Sequence, residues 1–509
     1  MTQVDVTVVV PVFDTMPYLT ATLDSLVSQS IGASRMHVVA VDDGSTDGSG
    51  EELERYAAAH PGLLTVVHQA NSGGPAGPCN VGLDLARGRY VFFLGSDDYL
   101  GEEALERMVD RADEWGSDVL CGRMIGVNDR YVSQRLYRED AEDVPFPGDL
   151  LPYALSNTKL FRRALLEEHG IRYALDLRVG SDQPFTVEAM HHAGRISVLA
   201  DYTCYYAVRR TDARNISYAS TWRARLEDIG AVMEHIADLV PPGEERDGIL
   251  VRHFDSELAK LLERDHPLLP ESERAELRAG LRDLMDRYYT DRIEARLRPL
   301  YRLSYRAVRD DRSETIDDVN ATDADEVPLV LDGDHVSYHL PERLASQPPE
   351  VYRLPPGHAR RMIFAASSPG EVTWEDDCLH LRVPTRLDPR SAPHVRAALI
   401  AATGREGRPA LRRDRRAASD KPSRRVAIAD DGTLTWSGDV LEELGDRTQA
   451  LWELRLQLDV GEHTYAVPVI ADPLPPQHLR RGGIGRRRHY TVEVFVDSES
   501  RLLVSCEKQ

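Results

Sequence analysis

A chain of 509 residues is too long for one ordinary core and points to roughly two to four domains. Hydrophobic residues at 42% and charged residues at 29% fit a soluble globular protein, and a net charge of -22 argues against a general binder of nucleic acid, whose phosphates it would repel. The five cysteines (Cys79, Cys121, Cys204, Cys378 and Cys506) are odd in number, widely spaced and free of any CxxC pair, which argues against a disulfide framework or a zinc site and fits a reducing compartment.

The opening "MTQVDVTVVVPVF" lacks a basic segment followed by a long apolar one, so no signal peptide is expected. No run approaches the roughly 18 apolar residues of a membrane span. A cytoplasmic protein, soluble or peripheral at the inner face of the membrane, is the expectation.

Through about residue 210, short apolar runs alternate with amphipathic segments. "VTVVVPVF" reads as a buried strand, "YLTATLDSLVSQS" as a helix, and "MHVVAVDDGS" as a strand ending in carboxylates. "SGEELERYAAAH" is a helix, "LLTVVHQ" a strand, "PCNVGLDLARG" a helix with a glycine stop, and "RYVFFLGSDD" the next strand. Apolar strands separated by helices predict a mostly parallel sheet covered on both faces, with ligands at the carboxyl ends of its strands. Asp42/Asp43 and Asp97/Asp98 fall at such ends.

From about Ala219 to Arg309 the pattern turns helical, as in "WRARLEDIGAVMEHIADLV", "DGILVRHFDSELAKLLER" and "SERAELRAGLRDLMDRYY", the last with Ser272 placed as an N-cap. The acidic stretch "DDRSETIDDVNATDADE" reads as a flexible joint over 311–326. Beyond it the period becomes two, in "VPLVLDGDHVSYHL", "CLHLRVPTRL", "LWELRLQLDV" and "HYTVEVFVDSESRLLVSC", the pattern of one or two β-sandwiches over 327–509. Two basic stretches interrupt the acidic background, Arg405 to Arg425 and His478 to Tyr490. They are either solvated loops or a surface for a polyanion.

The segment "FFLGSDDYLG" sets two carboxylates at the end of a buried strand. Two readings fit. An aspartate there caps a following helix, or it shares a hard divalent cation with a phosphate-bearing ligand and so stabilises charge on a leaving diphosphate.

Four stretches in order, "VVVPVFDTMPYLTATLDSLVSQS", "VVAVDDGSTDGSG", "NSGGPAGPCNVGLDLARGRYVFFLGSDDYL" and "KLFRRALLEEHGIRY", resemble the family 2 inverting glycosyltransferases of the GT-A fold. The resemblance spans roughly the first 210 residues. It implies an α/β GT-A domain with a Rossmann-like mixed sheet over 1–218, a helical linker over 219–310 and a C-terminal all-β, immunoglobulin-like sandwich region. It also implies sugar transfer from a nucleotide diphosphate, most often a UDP-sugar, with Mn²⁺ or Mg²⁺. Pro11 and Phe13 then open onto the nucleotide base, and Asp43 sits where a carboxylate meets the uracil ring, a task that suits an acceptor of the N3–H. Asn71 and Gly74 bring backbone close to the nucleotide. Ser96 flanks the donor, and Asp97, with Asp98, takes the metal position of the Asp-x-Asp signature.

In "LRVGSDQPF", Asp182 is by itself either a helix N-cap or a base. The resemblance makes it the base that takes the acceptor hydroxyl's proton as that oxygen attacks the anomeric carbon. Gln183 follows, as in the teichoic acid glycosylating branch. Arg209 and Arg210 match a cationic loop over the diphosphate. Asn157 and Lys159 fall on the acceptor side, where Lys159 is placed to meet an acceptor phosphate. Three positions depart from the pattern: Gly95 replaces an aspartate, Cys79 an arginine, and Ser181 a glutamate.

The domain order resembles the polyribitol-phosphate wall teichoic acid N-acetylglucosaminyltransferases, which implies a UDP-sugar donor, an anionic cell-wall polymer as acceptor and a homo-oligomer, with a trimer as one possibility. The alternatives are a transferase for a capsular, lipid-linked or small-molecule acceptor, and a GT-A scaffold that binds glycan without turnover.

Overall fold

The computed structural model describes residues 4–177, 179–210, 221–363, 371–375, 378–389, 391, 395–401, 426–429, 433–439, 451–460, 462–469, 477–481, 488–496 and 502–508. The chain divides into two compact units, Met1–Ala295 and Arg296–Gln509. The division falls inside the segment expected to be one helical linker.

The first unit is built on an eight-stranded sheet of β1 (Val6–Val12), β2 (Met36–Asp42), β3 (Leu64–His68), β4 (Tyr90–Phe93), β5 (Tyr99–Leu100), β6 (Val119–Val127), β7 (Leu160–Arg162) and β8 (Ile196–Val208). Their spatial order is β3-β2-β1-β4-β7-β6-β8-β5. β3, β2, β1 and β4 are parallel, and β7 runs antiparallel to both β4 and β6. This is the mixed sheet expected of a GT-A-type α/β domain.

The helices that cover it are α1 (Tyr18–Val27), α2 (Ser49–Ala59), α3 (Ala76–Asp84), α4 (Ala104–Trp115), α5 (Arg163–Glu168) and α6 (Asp182–His192). Strand side chains alternate between faces. Val6, Val8, Val10 and Val12 of β1 therefore join one apolar cluster, with Leu19, Leu23 and Leu105, while Val9 joins another, with Cys79, Phe93 and Phe185. Burial on both faces is why β1 and β2 read as unbroken valine-rich runs rather than alternating ones.

On the second face Phe185 packs edge-on against Phe93 (5.4 Å between centroids) and Phe161 (5.4 Å), and it stacks on Tyr173 (4.2 Å). Burying a phenylalanine side chain contributes roughly 1.5–3 kcal/mol. Here that energy pins the first turn of α6, three residues from Asp182. The unit ends in helices that include α7 (Trp222–Leu239) and α8 (Glu244–Arg252), followed by two π-turns, His253–Glu257 and Leu261–Asp265.

The second unit carries helices Pro299–Arg309 and Ser313–Asn320. The acidic stretch expected to be a joint is thus helical over Ser313–Asn320: Ile316 and Val319, one turn apart, are buried and outweigh the acidic composition. Beyond it lie a hairpin (Leu329–Asp332 with His335–Tyr338), a four-stranded sheet and a six-stranded sheet. Every strand pair described in these sheets is antiparallel. Leu379, Leu381 and Val383 from one sheet share an apolar cluster with Leu454, Leu456 and Leu458 from the other, the period-two pattern realised as a common core. The basic stretch 405–425, and residues 482–487 of the second basic stretch, lie outside the described residues.

Candidate active site

The carboxyl ends of β1, β2 and β4 converge, and short polar side chains tie them together. The Thr15 hydroxyl pairs with that of Ser96 at 2.9 Å, and the Asp14 amide donates to Ser45 Oγ at 3.1 Å. Thr22 Oγ1, on α1, lies 2.8 Å from the Ser96 carbonyl and 2.7 Å from that of Asp98, so α1 holds the turn after β4. Pro11 lies within β1, and Phe13, just past its end, leaves 48% of its surface exposed, which is unusual for so large an apolar side chain.

The two carboxylates ending β2 have separate tasks. Asp42 accepts from the Ser45 amide (3.0 Å) and from His68 Nδ1 (2.9 Å). Burial alone would raise its pKa, but Ser45 and His68 outweigh that and hold it below the usual carboxylate range. Asp43 is buried and accepts from Gln69 Nε2 (2.6 Å), the Ser72 amide (3.0 Å to Oδ1) and Ser72 Oγ (2.9 Å to Oδ2). It therefore folds the Asn71–Gly74 loop against β2, and Asn71 Oδ1 in turn accepts from the Gly73 amide at 2.8 Å. Gly44 allows this approach: its φ is +82°, and a Cβ there would stand 3.0 Å from the Asn71 nitrogen.

Asp97 and Asp98 diverge just as sharply. Asp98 is buried; its Oδ2 accepts from the Tyr205 hydroxyl (2.6 Å), and its Oδ1 accepts from the Val208 amide (2.6 Å) and lies 3.4 Å from Arg130 Nη1. Burial and the charge of Asp97 push its pKa up to about 6. Asp98 is thus a brace between the β4–β5 turn and β8. Asp97 is partly exposed on the same turn. Among the described residues no group of three or more His, Cys, Asp or Glu side chains is arranged to hold a metal ion. Asp97 is the residue of this turn that would join phosphate oxygens around Mg²⁺ or Mn²⁺, since such ions take one or two carboxylates plus phosphate oxygens.

Asp182 opens α6. β7 is antiparallel to β4, with Phe92 opposite Leu160, so Lys159 lies at the same sheet end as the Asp97 turn. Burial raises the pKa of Asp182, while the charges of Arg252 and Lys159 oppose the rise. Lys159 is itself buried and lowered for that reason, and its Nζ donates to the Ser156 carbonyl. Its charge acts on Asp182 from inside the fold rather than from the surface. Asn157 Nδ2 donates to the Tyr173 hydroxyl (2.8 Å), and Asn80 clamps the Tyr173 backbone through both its N–H and its C=O (2.9 Å each). Cys79 is fully buried and its thiol is pushed well up by burial, so it is a packing residue at a position where the family often carries arginine.

Arg210 sits over the Tyr18 ring at 5.3 Å and donates to the Asp14 carbonyl at 3.3 Å, next to Phe13. Arg209 is exposed at the end of β8, its amide donating to Val127 O at 3.1 Å. The rest of that loop, 211–217, lies outside the described residues. Sequence reasoning missed Tyr205 and Arg130, the partners of Asp98. It also missed Arg252, His253 and Glu257, which gather around Gln183. Only the position of Gln183 directly after Asp182 hinted at them.

Residues 7–170 match the family model Glycosyl transferase family 2, and residues 224–320 match the Glycosyl transferase TarS linker domain. The first segment is a family 2 glycosyltransferase domain. The chain is 33% identical over 258 residues to a poly(ribitol-phosphate) beta-glucosyltransferase of Bacillus spizizenii, and 39% identical over 231 residues to the poly(ribitol-phosphate) beta-N-acetylglucosaminyltransferase TarS of Staphylococcus aureus. These matches cover 49% and 45% of this chain but only 40% and 39% of the relatives' length. The crystal structure of S. aureus TarS 1-349 in complex with UDP-GlcNAc aligns with a TM-score of 0.57 at 29% identity, covering 69% of this chain and 99% of that one. S. aureus TarS aligns over 99% of this chain and 85% of that one with a TM-score of 0.61; at 21% identity this likeness is one of fold. The family 2 domain holds the Asp43, Asp97 and Lys159 regions; Asp182 lies just beyond the matched segment, and Arg252 within the linker match. Among the described residues no helix is long and apolar enough to cross a membrane.

Proposed function

We propose that this chain is an inverting glycosyltransferase that moves a sugar, N-acetylglucosamine, from a UDP-sugar to a hydroxyl of an anionic cell-wall polymer of the poly(ribitol-phosphate) type, at the cytoplasmic side of the membrane. The observation that carries the reading is that a partly buried Asp182 couples by charge to Lys159, which lies at the same sheet end as the Asp97 turn. A base on the acceptor side and a place for the leaving diphosphate on the donor side are the two things an inverting transfer needs. The family 2 match and the likeness to the UDP-GlcNAc complex support the donor class, and the poly(ribitol-phosphate) relatives support the acceptor class.

In this reading Phe13 and the Asp43-ordered loop receive the uridine, and Arg209 and Arg210 lie toward the diphosphate. Asp97 would hold a divalent cation, Mn²⁺ or Mg²⁺, which when bound neutralises charge on the diphosphate. Asp182 takes the acceptor hydroxyl proton while that oxygen forms its bond to the anomeric carbon and the bond to the diphosphate oxygen breaks. A raised pKa suits this task, since a base near the working pH is a better acceptor that still ionises.

The test is UDP release from UDP-GlcNAc and UDP-glucose with ribitol-phosphate polymer, in Mn²⁺ or in EDTA, for wild type and Asp182→Asn. Polymer-stimulated, metal-dependent release that falls at least ~100-fold in Asp182→Asn is the expected result. Full activity in the variant would refute Asp182 as the base. Equal release with and without polymer would refute the acceptor.

A further inference from the structure

The side chain next to the base is held by a set of groups that the transfer chemistry above does not use. Gln183 Oε1 accepts from Arg252 Nη1 at 2.7 Å and lies 3.1 Å from His253 Nε2, while Gln183 Nε2 donates to Glu257 Oε1 at 3.3 Å. Arg252 and Glu257 pair directly at 2.8 Å. His253 has no exposed surface, and burial pushes its pKa down to about 4, so it is neutral at physiological pH. With its proton on Nε2 it is a donor to Gln183.

The backbone explains how residues 252 and 257 meet. Five residues apart on an α-helix, two side chains diverge by about 140°. The segment His253–Glu257 is a π-turn. Its wider i→i+5 spacing sets such residues over one another. The π-turn therefore points an arginine, a histidine and a glutamate at one glutamine, and that glutamine opens α6 beside Asp182.

We infer that Gln183, Arg252 and Glu257 are positioning residues, through which the helical segment after the family 2 domain sets the orientation and charge environment of Asp182. This rests on the reading of Asp182 as the base. Two ions of opposite sign act on it: Arg252 favours its carboxylate and Glu257 opposes it. Lys159 at the edge of β7 adds a second positive charge, and Cys79 on α3 and the Tyr173 ring also couple to Asp182. Arg252 Nη1 is shared between Glu257 and Gln183, so that pairing anchors its charge near Asp182; a direct Arg252–Asp182 pair in its place would leave a weaker base.

In protein labelled with ¹³Cγ-aspartate, the Asp182 resonance is identified by its loss in Asp182→Asn, and its titration is followed by NMR. Glu257→Gln removes a negative charge and releases Arg252, so the Asp182 midpoint falls. Arg252→Gln removes the positive charge, so the midpoint rises. Each shift is expected to be at least about half a pH unit, as for charges acting over several ångströms in a partly buried site. Arg252→Lys, which keeps the charge, stays nearer to wild type. In the UDP-release assay both neutral variants lose kcat with donor KM within about twofold, because an interaction that matters only at the transition state lowers kcat alone. Either variant alone carries the test if the other fails to fold, since each has its own sign. Midpoints unchanged from wild type, or displaced in the same direction by both variants, overturn the inference. The titration needs no turnover, so its failure is separate from failure of the base assignment, which Asp182→Asn decides by activity.

Discussion

The Tyr205 hydroxyl donates to Asp98 Oδ2 at 2.6 Å and accepts from the Gly95 amide at 3.2 Å. One phenol thus ties β8 to both ends of the turn that carries Asp97. With the Val208 amide also on Asp98, the second aspartate of the pair is committed to holding the turn, and the proposed function gives the cation role to the first. Asp98→Ala would strand two buried donors and is expected to cost about 2–4 kcal/mol of stability. Asp97→Ala, on the partly exposed side, is expected to stay within about 0.5 kcal/mol of wild type and to lose Mn²⁺-dependent UDP binding. Denaturant melts and calorimetry on both variants check this. The assignment fails if Asp97→Ala is the variant that unfolds.

Gly95 stands where the family often has an aspartate, and here it lies close against the other polar groups of the turn. A Cβ at Gly95 would lie 3.0 Å from Asp98 Oδ2, 3.3 Å from the Tyr205 hydroxyl and 3.4 Å from Asp97 Oδ1. Gly95→Asp adds a third negative charge in that space and is expected to destabilise by about 1–3 kcal/mol and to weaken UDP binding rather than restore it. A higher melting temperature together with tighter UDP binding in the variant would show that the turn has room after all.

His68 makes a pH-dependent contribution. Its pKa is raised from 6.5, first by Asp42 and then by Glu54, to which its two ring nitrogens bond at 2.9 Å each. A raised histidine pKa stabilises fully below the unfolded value and ceases to do so as pH rises through the folded value. Wild type should therefore exceed His68→Gln in stability most at pH 5.5–6, with the gap closing above neutrality. The side chain is 48% exposed, so solvent screening keeps the gap below about 1 kcal/mol. Chemical denaturation of both proteins across that range measures it; a gap that widens with pH contradicts the sign.

How much of this could be read from the sequence depends on how local each cause is. The runs Val6–Val12 and Met36–Asp42 read as buried strands because burial on both faces leaves an unbroken apolar signature. The aspartates at strand ends were visible for the same reason. What was not visible was that Asp98 is held as a brace, since that depends on Tyr205, 107 residues away. The ring of partners around Gln183 was hidden too. Arg252 lies 69 residues on, and a π-turn leaves no periodic mark in composition. The acidic stretch near Ile316 misled in the opposite direction, because charge density dominates a reading in which two buried side chains decide the fold.

Phe13 offers the cleanest separation of binding from stability. It follows β1 directly, keeps 48% of its surface exposed, and lies beside Asp14, whose carbonyl accepts from Arg210. An exposed aromatic contributes little to the core, so Phe13→Ala should leave the melting temperature within about 2 °C of wild type. Stacking of a base on an aromatic ring is worth about 1–3 kcal/mol, so the same variant should bind UDP roughly 5- to 150-fold more weakly. Phe13→Tyr, which keeps the ring face, should bind nearly as wild type does. Calorimetry with UDP on the three proteins is the measurement. If Phe13→Ala binds UDP as tightly as wild type, the uridine does not stack at the end of β1, and the receiving surface must be sought along the Asn71–Gly74 loop instead.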